Sequence, residues 1–336
     1  MLSDGRSYDC RCQSTITLLS AGLHRSLCGM GNVFATLGIL VGCGMIYRLI
    51  PGVPDHTVVR TTIGSMVLNI FVPLLTFGVL STAPIGSDIW SVPLVSITSV
   101  AVGFGLSWCT FALLFRGRLS PPAIGSLIVA STWCNAMYLG LPITTAVIGD
   151  HVGRVPILFD YLGMTPLLFT LGTIVCVEYG TRGVRHTIGE GLLQALRMPP
   201  TLAVIAGLAV NLLQIPLAPF LLDACSTAGR VVAPLMLFSI GLALRLPRLQ
   251  MVPMLIPVVL IRCVLVPISV MWLASLITPD RDVLRATMLE AAMPTMMLTM
   301  VFADRYGLDE SVLAQAILVT TIISIGTLPI VAQWPY

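Results

Sequence analysis

Charge is what this sequence has least of. Only 10% of its 336 residues are charged, whereas a soluble domain averages about 25%. Lysine is absent, so all 18 basic side chains are arginine, and the formal net charge is only +3. So little charge cannot cover the surface of a soluble domain of this length, and nothing in it resembles the clustered basic surface that binds nucleic acid. We therefore expect neither a soluble protein nor a nucleic-acid partner.

The motifs of catalytic and metal sites are also missing. The chain has no H-E-x-x-H, P-loop or G-x-S-x-G motif, so nothing in it indicates a protease, an ATPase or a hydrolase. Its nine cysteines are scattered and odd in number, without zinc or disulfide spacing. We therefore expect a protein that is not an enzyme and that holds no metal or cofactor.

What the chain does have is long apolar segments. Hydrophobic residues make up 56% of it, and the mean hydropathy is +0.96. Runs of about 20 apolar residues match a bilayer core about 30 Å thick, so we predict an all-α polytopic membrane protein with about ten transmembrane helices. The predicted spans are Gly31 to Leu49, Val58 to Leu80, Trp90 to Phe115, Ala123 to Ile148, Val155 to Val177, Thr201 to Leu217, Leu222 to Leu244, Val252 to Ile277, Val283 to Phe302 and Val312 to Ala332.

The spans divide into two groups of five. We predict a polar N-terminal tail over 1–28, a first five-helix repeat over 29–180, a cytoplasmic connector over 181–198 and a second repeat over 199–336. Val72-Pro73-Leu74 recurs as Ala233-Pro234-Leu235, and Val92-Pro93-Leu94 recurs as Val252-Pro253-Met254, at a nearly constant offset. A repeat with an odd number of spans is inverted relative to its copy, as in many alternating-access carriers.

The fourth and ninth spans carry breakers in their interiors. Residues 133–142 read W-C-N-A-M-Y-L-G-L-P, and residues 290–294 read E-A-A-M-P. Since a proline removes one helical hydrogen bond and clashes with the preceding turn, we expect the fourth span to kink or break near Pro142 and the ninth near Pro294. In lipid, the freed backbone groups are tolerated only where protein or a water-filled cavity satisfies them. Paired broken helices therefore predict a substrate site where they meet.

The distribution of arginine predicts the orientation. Most of the arginines lie at the connectors that follow the odd-numbered spans, and few lie at those that follow the even-numbered ones. Because cytoplasmic loops are richer in arginine, we predict a multi-pass protein of the cell membrane with both termini outside.

Three ionisable residues fall within spans, where a charge is costly and usually functional. Glu290 either binds a proton or a sodium ion, or is a neutral or paired carboxyl that braces the break. Asp160 either pairs with Arg154 or faces the same cavity. Arg262 either attracts an anionic substrate or pairs with a carboxylate such as Glu290 or Asp160.

Short collinear motifs resemble the auxin efflux carrier family of permeases. They include Asn135 ahead of Leu139-Gly140-Leu141-Pro142, and Glu290 to Pro294. The resemblance covers the chain from Gly29 to Ile330. It implies a fold similar to that of sodium/bile-acid symporters, with a scaffold domain and a core domain in which the broken fourth and ninth helices cross. It also implies transport of small organic anions, such as malate, malonate or auxin-like carboxylates, and is compatible with a homodimer.

Together these observations favour a secondary transporter of small organic anions that works by alternating access, with the bilayer and the anion as its partners and Na⁺ or H⁺ as the coupling ion. The alternative is a receptor or regulator that kept the fold and lost transport. The predicted substrate-binding residues are Asn135, Gly140, Leu141, Pro142, Met293 and Pro294. The candidates for ion coupling or charge relay are Glu290, Asp160 and Arg262.

Overall fold

The computed structural model describes residues 35–36, 38–83, 86–115, 117–182, 189–190, 193, 196–243 and 252–335. Within these ranges every regular element is a helix, which confirms the predicted all-α class. The predicted tail over 1–28 and most of the predicted connector over 181–198 lie outside the described residues.

The described helices are numbered here in chain order. They are α1 (Gly38–Tyr47), α2 (His56–Thr82), α3 (Asp88–Leu114), α4 (Pro121–Thr132), α5 (Ala136–Ile148), α6 (Asp150–Tyr179), α7 (Pro199–Leu212), α8 (Pro219–Ala243), α9 (Pro253–Ile277), α10 (Arg281–Ala291), α11 (Thr299–Tyr306) and α12 (Glu310–Ala332).

Six of these helices, α2, α3, α6, α8, α9 and α12, are long and apolar enough to cross a bilayer. Their outer faces are apolar too, as Trp90 is 79%, Trp272 73% and Phe220 75% exposed. A surface this rich in exposed large side chains is typical of contact with lipid rather than water. The chain is thus a multi-pass membrane protein. The predicted fourth span corresponds to the pair α4 and α5, and the predicted ninth to α10 and α11, while the ten-helix inverted repeat stays a prediction.

Local signals in the sequence explain where several helices begin. Asp280 caps α10, because its carboxylate accepts the backbone N–H groups of Asp282 and Val283. Asp55 caps α2 in the same way, and the N–H of Thr57 lowers the pKa of its exposed carboxyl. Pro121 begins α4 at the first helical position, where the missing N–H has no intrahelical partner to lose.

Four prolines inside the spans follow widened π turns rather than breaks. Four π segments end two residues before Pro73, Pro142, Pro166 and Pro267. A proline donates no hydrogen bond to the preceding turn, and a π turn places the backbone so that this donor is not needed. The interruption predicted within residues 133–142 is therefore present, but it lies at residues 133–135 rather than at Pro142. Helix α5 continues through Pro142, and the chain leaves the helix two turns earlier, at residues 133–135.

Small residues allow close packing between helices on one side of the molecule. A Cβ added at Gly44 of α1 would lie 2.2 Å from the carbonyl oxygen of Phe238 in α8, and one added at Gly241 would lie 2.0 Å from that of Val41. Close backbone approach of this kind is a common way to join membrane helices. Helix α7 is joined to α2 by the Asn211 amide, which donates to the carbonyl oxygens of Leu80 and Ala83, at 2.8 Å each.

Candidate functional site at the paired helix breaks

Two breaks lie against each other in the interior. The first break, residues 133–135, separates α4 from α5, and the second break, residues 292–298, separates α10 from α11. The two form an antiparallel bridge between Cys134 and Thr295. The Asn135 N–H donates to the Pro294 carbonyl at 2.8 Å, and the Met296 N–H donates to the Trp133 carbonyl at 2.9 Å. Backbone groups freed by one break thus satisfy those freed by the other, as lipid surroundings require.

The helix ends that precede the breaks are held by Arg262. This side chain comes from the π segment Ile261–Leu265 of α9 and is fully buried. Its guanidinium donates to the carbonyl of Thr132, the last residue of α4, at 2.9 Å, and to that of Ala291, the last residue of α10. A cation is favourable there because the C-terminal ends of both helices carry partial negative charge. Within the described chain Arg262 forms no ion pair with Glu290 or Asp160.

A threonine network adds a second tie at the same place. The Thr295 hydroxyl donates to the Ala130 carbonyl of α4 at 2.7 Å, and the Thr320 hydroxyl of α12 lies 3.1 Å from that of Thr295. The Thr295 N–H donates to Thr320 in turn, at 3.2 Å. Helices α4, α9, α10 and α12 are therefore joined through buried polar groups at the breaks.

The helix ends that follow the breaks line a narrow pocket of about 10 Å³, which has room for roughly one water molecule. The start of α5 contributes Asn135, Met137 and Tyr138, and the approach to α11 contributes Met296 and Leu298. Both helices present their N-terminal ends here, where unpaired N–H groups and the positive end of the helix dipole favour an anion.

Asn135 has its backbone and its side chain in different roles. Its backbone N–H completes the pairing of the two breaks. Its side-chain amide lines the pocket, is buried with the residue only 3% exposed, and makes no hydrogen bond to any residue that the structure describes. The backbone N–H of Asn135 therefore stabilises the break. The donors and the acceptor of its side-chain amide are available to a molecule in the pocket.

Asp160 lines the same pocket from α6. Its side chain lies in the π segment Phe159–Met164, is 3% exposed, and accepts a hydrogen bond from the Thr165 hydroxyl at 3.1 Å. The other neighbour considered for it, Arg154, instead forms a largely buried ion pair with Asp88 at the start of α3, at 2.5 Å. Of the two alternatives for Asp160, the structure places it in the cavity.

Glu290 is fully buried but lies outside the lining of this pocket. One of its carboxyl oxygens, Oε1, accepts from the Thr144 hydroxyl of α5 at 2.6 Å, and the other, Oε2, has no hydrogen-bond partner within the described chain. The carboxyl packs directly on Gly140, since a Cβ added there would lie 2.0 Å from Oε2. Gly140 is thus required by its contact with Glu290 and does not line the pocket.

The other predicted substrate-binding residues occupy different places. Leu141 and Pro142 are half-buried at the start of the regular part of α5, and Met293 is fully buried at the second break, all outside the pocket lining. Pro294 contributes its carbonyl to the pairing of the breaks. Lining residues that the sequence reasoning missed are Leu68, Met137, Tyr138, Tyr161, Thr165, Met198, Met296 and Leu298. Tyr138 lies one helical turn after Asn135 and so shares its face of α5. This spacing is the only sequence signal that could have identified Tyr138 as a lining residue.

Comparison with known proteins gives a consistent result. The model of a family described as membrane transport protein matches residues 183–332. An uncharacterized transporter of Methanothermobacter thermautotrophicus is 28% identical over 311 residues, which cover 90% of this chain and 97% of the relative. An uncharacterized transporter of Methanocaldococcus jannaschii is 27% identical over 223 residues, which cover 65% of this chain and 69% of the relative.

These matches agree with the apolar helices and with the resemblance that the short motifs indicate. The general role of a transporter is supported over nearly the whole chain by one relative and over its second half by the family. The resemblance is therefore confirmed: this chain is a multi-pass membrane protein similar to the membrane transport protein family.

Proposed function

We propose that this protein is a secondary transporter of small organic anions such as malate, malonate or auxin-like carboxylates. The observation that carries the proposal is the meeting of two helix breaks beside an unpaired buried amide. Two helix N-terminal ends and the Asn135 amide face one pocket, which supplies positive dipole ends and N–H donors without a buried cation. A carboxylate is the small group that such donors suit best.

The position of the pocket supports alternating access as the mechanism of this proposal. Leu68 of α2 and Met198, just before α7, line one side of the pocket, whereas α5, α6 and the second break line the other. Helices α7 and α8 both pack on α2, and the breaks are joined to α4, α9, α10 and α12. A pocket of about 10 Å³ is far smaller than a dicarboxylate, so we infer that the group formed by α2, α7 and α8 moves relative to the helices joined at the breaks and admits substrate from either side.

The coupling ion is either Na⁺ or H⁺, and the candidates remain Glu290, Asp160 and Arg262. Glu290 has a free carboxyl oxygen beside the breaks and suits a cation. Arg262 acts by holding the helix ends that precede the breaks. Export of an anion could also run on the membrane potential alone, which supplies about 2.3 kcal/mol per charge per 100 mV.

The proposal is tested by uptake of labelled malate and malonate into proteoliposomes under sodium, proton and voltage gradients imposed one at a time. We expect saturable uptake that falls at least tenfold in Asn135→Ala, since the amide is a donor in the pocket that no described residue engages. Uptake should change its ion dependence or rate in Glu290→Gln. Asn69→Ala is the matched control, because that exposed amide bonds only within its own helix, to Ser65.

Uptake that is unchanged in both Asn135→Ala and Glu290→Gln would contradict the proposal. Binding of a dicarboxylate to the folded protein with no flux under any gradient would favour a receptor or regulator instead. Two further parts of the proposal have their own tests. Reporter fusions at each terminus, expressed in cells, test the outside location of both termini in the cell membrane. Mass measurement of the purified protein in detergent tests for a homodimer.

A further inference from the structure

Among the described residues that line the pocket there is a carboxyl group but no basic side chain. Asp160 is the only Asp or Glu of this described lining, and none of its residues is Arg or His. An ionised Asp160 would therefore repel the anion that the Asn135 amide and the helix N-terminal ends attract. A pocket built for anions needs either a cation beside this carboxylate or a way to remove its charge.

No cation of the described chain is placed to neutralise Asp160. Arg154, six residues earlier on α6, is held by Asp88 and by the His151 carbonyl. Arg262 is held by the two helix-end carbonyls. The one hydrogen bond that Asp160 makes is with the uncharged hydroxyl of Thr165. Removal of its charge therefore requires a proton.

We propose that Asp160 is the proton-carrying group of the pocket, so that anion and proton cross the membrane together. The inference rests on the transport function proposed above and names its coupling ion. In the loaded state Asp160 is protonated, and its O–H donates to the substrate carboxylate, which the Asn135 amide also holds. The proton is taken from water on the side where substrate enters and returns to water on the side where substrate leaves.

The groups around Asp160 allow this assignment. The elements packed on its π segment are α3, α5 and α7 together with the remainder of α6. Helix α7 has no titratable side chain, α5 has Tyr138, and α3 has Asp88, already paired, and the exposed Cys109. Tyrosine ordinarily titrates near 10, so Tyr138 and the adjacent Tyr161 stay neutral near pH 7.

Two more groups act on Asp160 at longer range, from the breaks. They are Cys134 and Glu290, which interact with it electrostatically without direct contact. Glu290 is separated from the pocket and bonded to Thr144. Asp160 is therefore the carboxyl that substrate meets, while Glu290 lies outside the pocket lining.

The inference predicts a linkage between pH and substrate binding. Since anion and proton favour each other, and coupling between sites is reciprocal, the protein binds substrate best at low pH. Above the pH at which free Asp160 ionises, the apparent dissociation constant of malonate should rise about tenfold per pH unit, as expected for one linked proton.

The test separates exchange from accumulation in proteoliposomes. Counterflow of labelled malonate against unlabelled malonate needs only a carrier, while accumulation under an imposed pH gradient needs a proton that moves with the anion. Wild type should do both. Asp160→Asn imitates the protonated side chain permanently, so we expect it to lose the pH dependence of binding, and its proton-driven accumulation should fall at least tenfold more than its counterflow does. The matched control is Asp304→Asn, an exposed carboxyl paired with Arg182 at the far end of α11, which should accumulate malonate like wild type.

Each other result has a definite meaning. Absence of counterflow in wild type would contradict the proposed function and this inference with it. Counterflow without accumulation under a pH gradient, or accumulation that persists in Asp160→Asn or that follows a sodium gradient, would overturn the inference and leave the transport function standing. If Asp160→Asn does not fold, the wild type alone decides. Malonate influx should acidify the lumen by one proton per anion, measured with an internal pH dye, and influx without acidification would overturn the inference.

Discussion

The two sides of the helix breaks differ in what their polar side chains contact. On the side of the helix C-terminal ends, called here the paired side, Arg262 and Thr295 donate to carbonyls of α4 and α10, although Nε of Arg262 and Oε2 of Glu290 have no partner within the described chain. On the side of the helix N-terminal ends, called here the unpaired side, the Asn135 amide lines the pocket without a hydrogen bond to a described residue, and Asp160 has a single uncharged partner. Polar side chains that join two helices stabilise the fold, whereas those that line a pocket are available to a ligand. We therefore expect substitutions on the paired side to affect stability most and substitutions on the unpaired side to affect binding most.

The largest effect is expected where the paired side is broken. Arg262→Met removes both donors and leaves two buried carbonyls without their partner. Each such group costs about 1–3 kcal/mol, so the free energy of unfolding should fall by about 2–6 kcal/mol. Thermal unfolding in detergent measures this change, and Arg262→Lys should restore part of the loss because it keeps the charge and one donor. A variant with Met at 262 that is as stable as wild type would show that the helix ends do not depend on this side chain.

A smaller loss of stability is expected from Gly140→Ala, which disturbs the contact between α5 and α10. The added Cβ would lie 2.0 Å from Oε2 of Glu290, so the carboxyl must move away, at a cost of about 1–3 kcal/mol. Gly64→Ala in α2 is the control, since a Cβ there has nothing within 4 Å and should change stability by less than about 0.5 kcal/mol. Equal unfolding temperatures for the two variants would contradict the packing of Glu290 on Gly140.

The smallest change in stability is expected on the unpaired side, from Asn135→Ala. Because its amide makes no hydrogen bond within the described chain, its loss should cost less than about 1 kcal/mol of unfolding free energy. The same variant should lose transport, as expected above. A small loss in stability with a large loss in transport would support the distinction between the two sides of the breaks. A destabilisation as large as that of Arg262→Met would contradict it, because Asn135 would then also hold the helices together.

How much of this site was predictable varies with the residue. The breakers in the fourth and ninth spans predicted two interrupted helices that meet, and the structure pairs them through Cys134 and Thr295. Pro142 did not mark the position of the break, because the π turn that precedes it accommodates the missing N–H donor and the helix continues. The sequence left two alternatives for Asp160, and for Arg262 neither alternative named the helix-end carbonyls to which it donates. No local pattern could indicate these outcomes, since Asp88, which holds Arg154 away from Asp160, and Thr132, whose carbonyl Arg262 contacts, lie far away in the chain.

The sequence by itself determined the class of this protein and the location of its helices. Apolar length and the scarcity of charge do so because a bilayer admits only long apolar helices with satisfied backbones. Capping aspartates such as Asp280 also act locally, within one turn of the chain. Only the tertiary structure decided which buried polar groups face each other and which face a pocket. Arg262 meets two helix ends, Glu290 meets Gly140, and Asp160 meets Asn135 across a cavity, because packing of distant segments sets these contacts and no short-range preference of the chain specifies them.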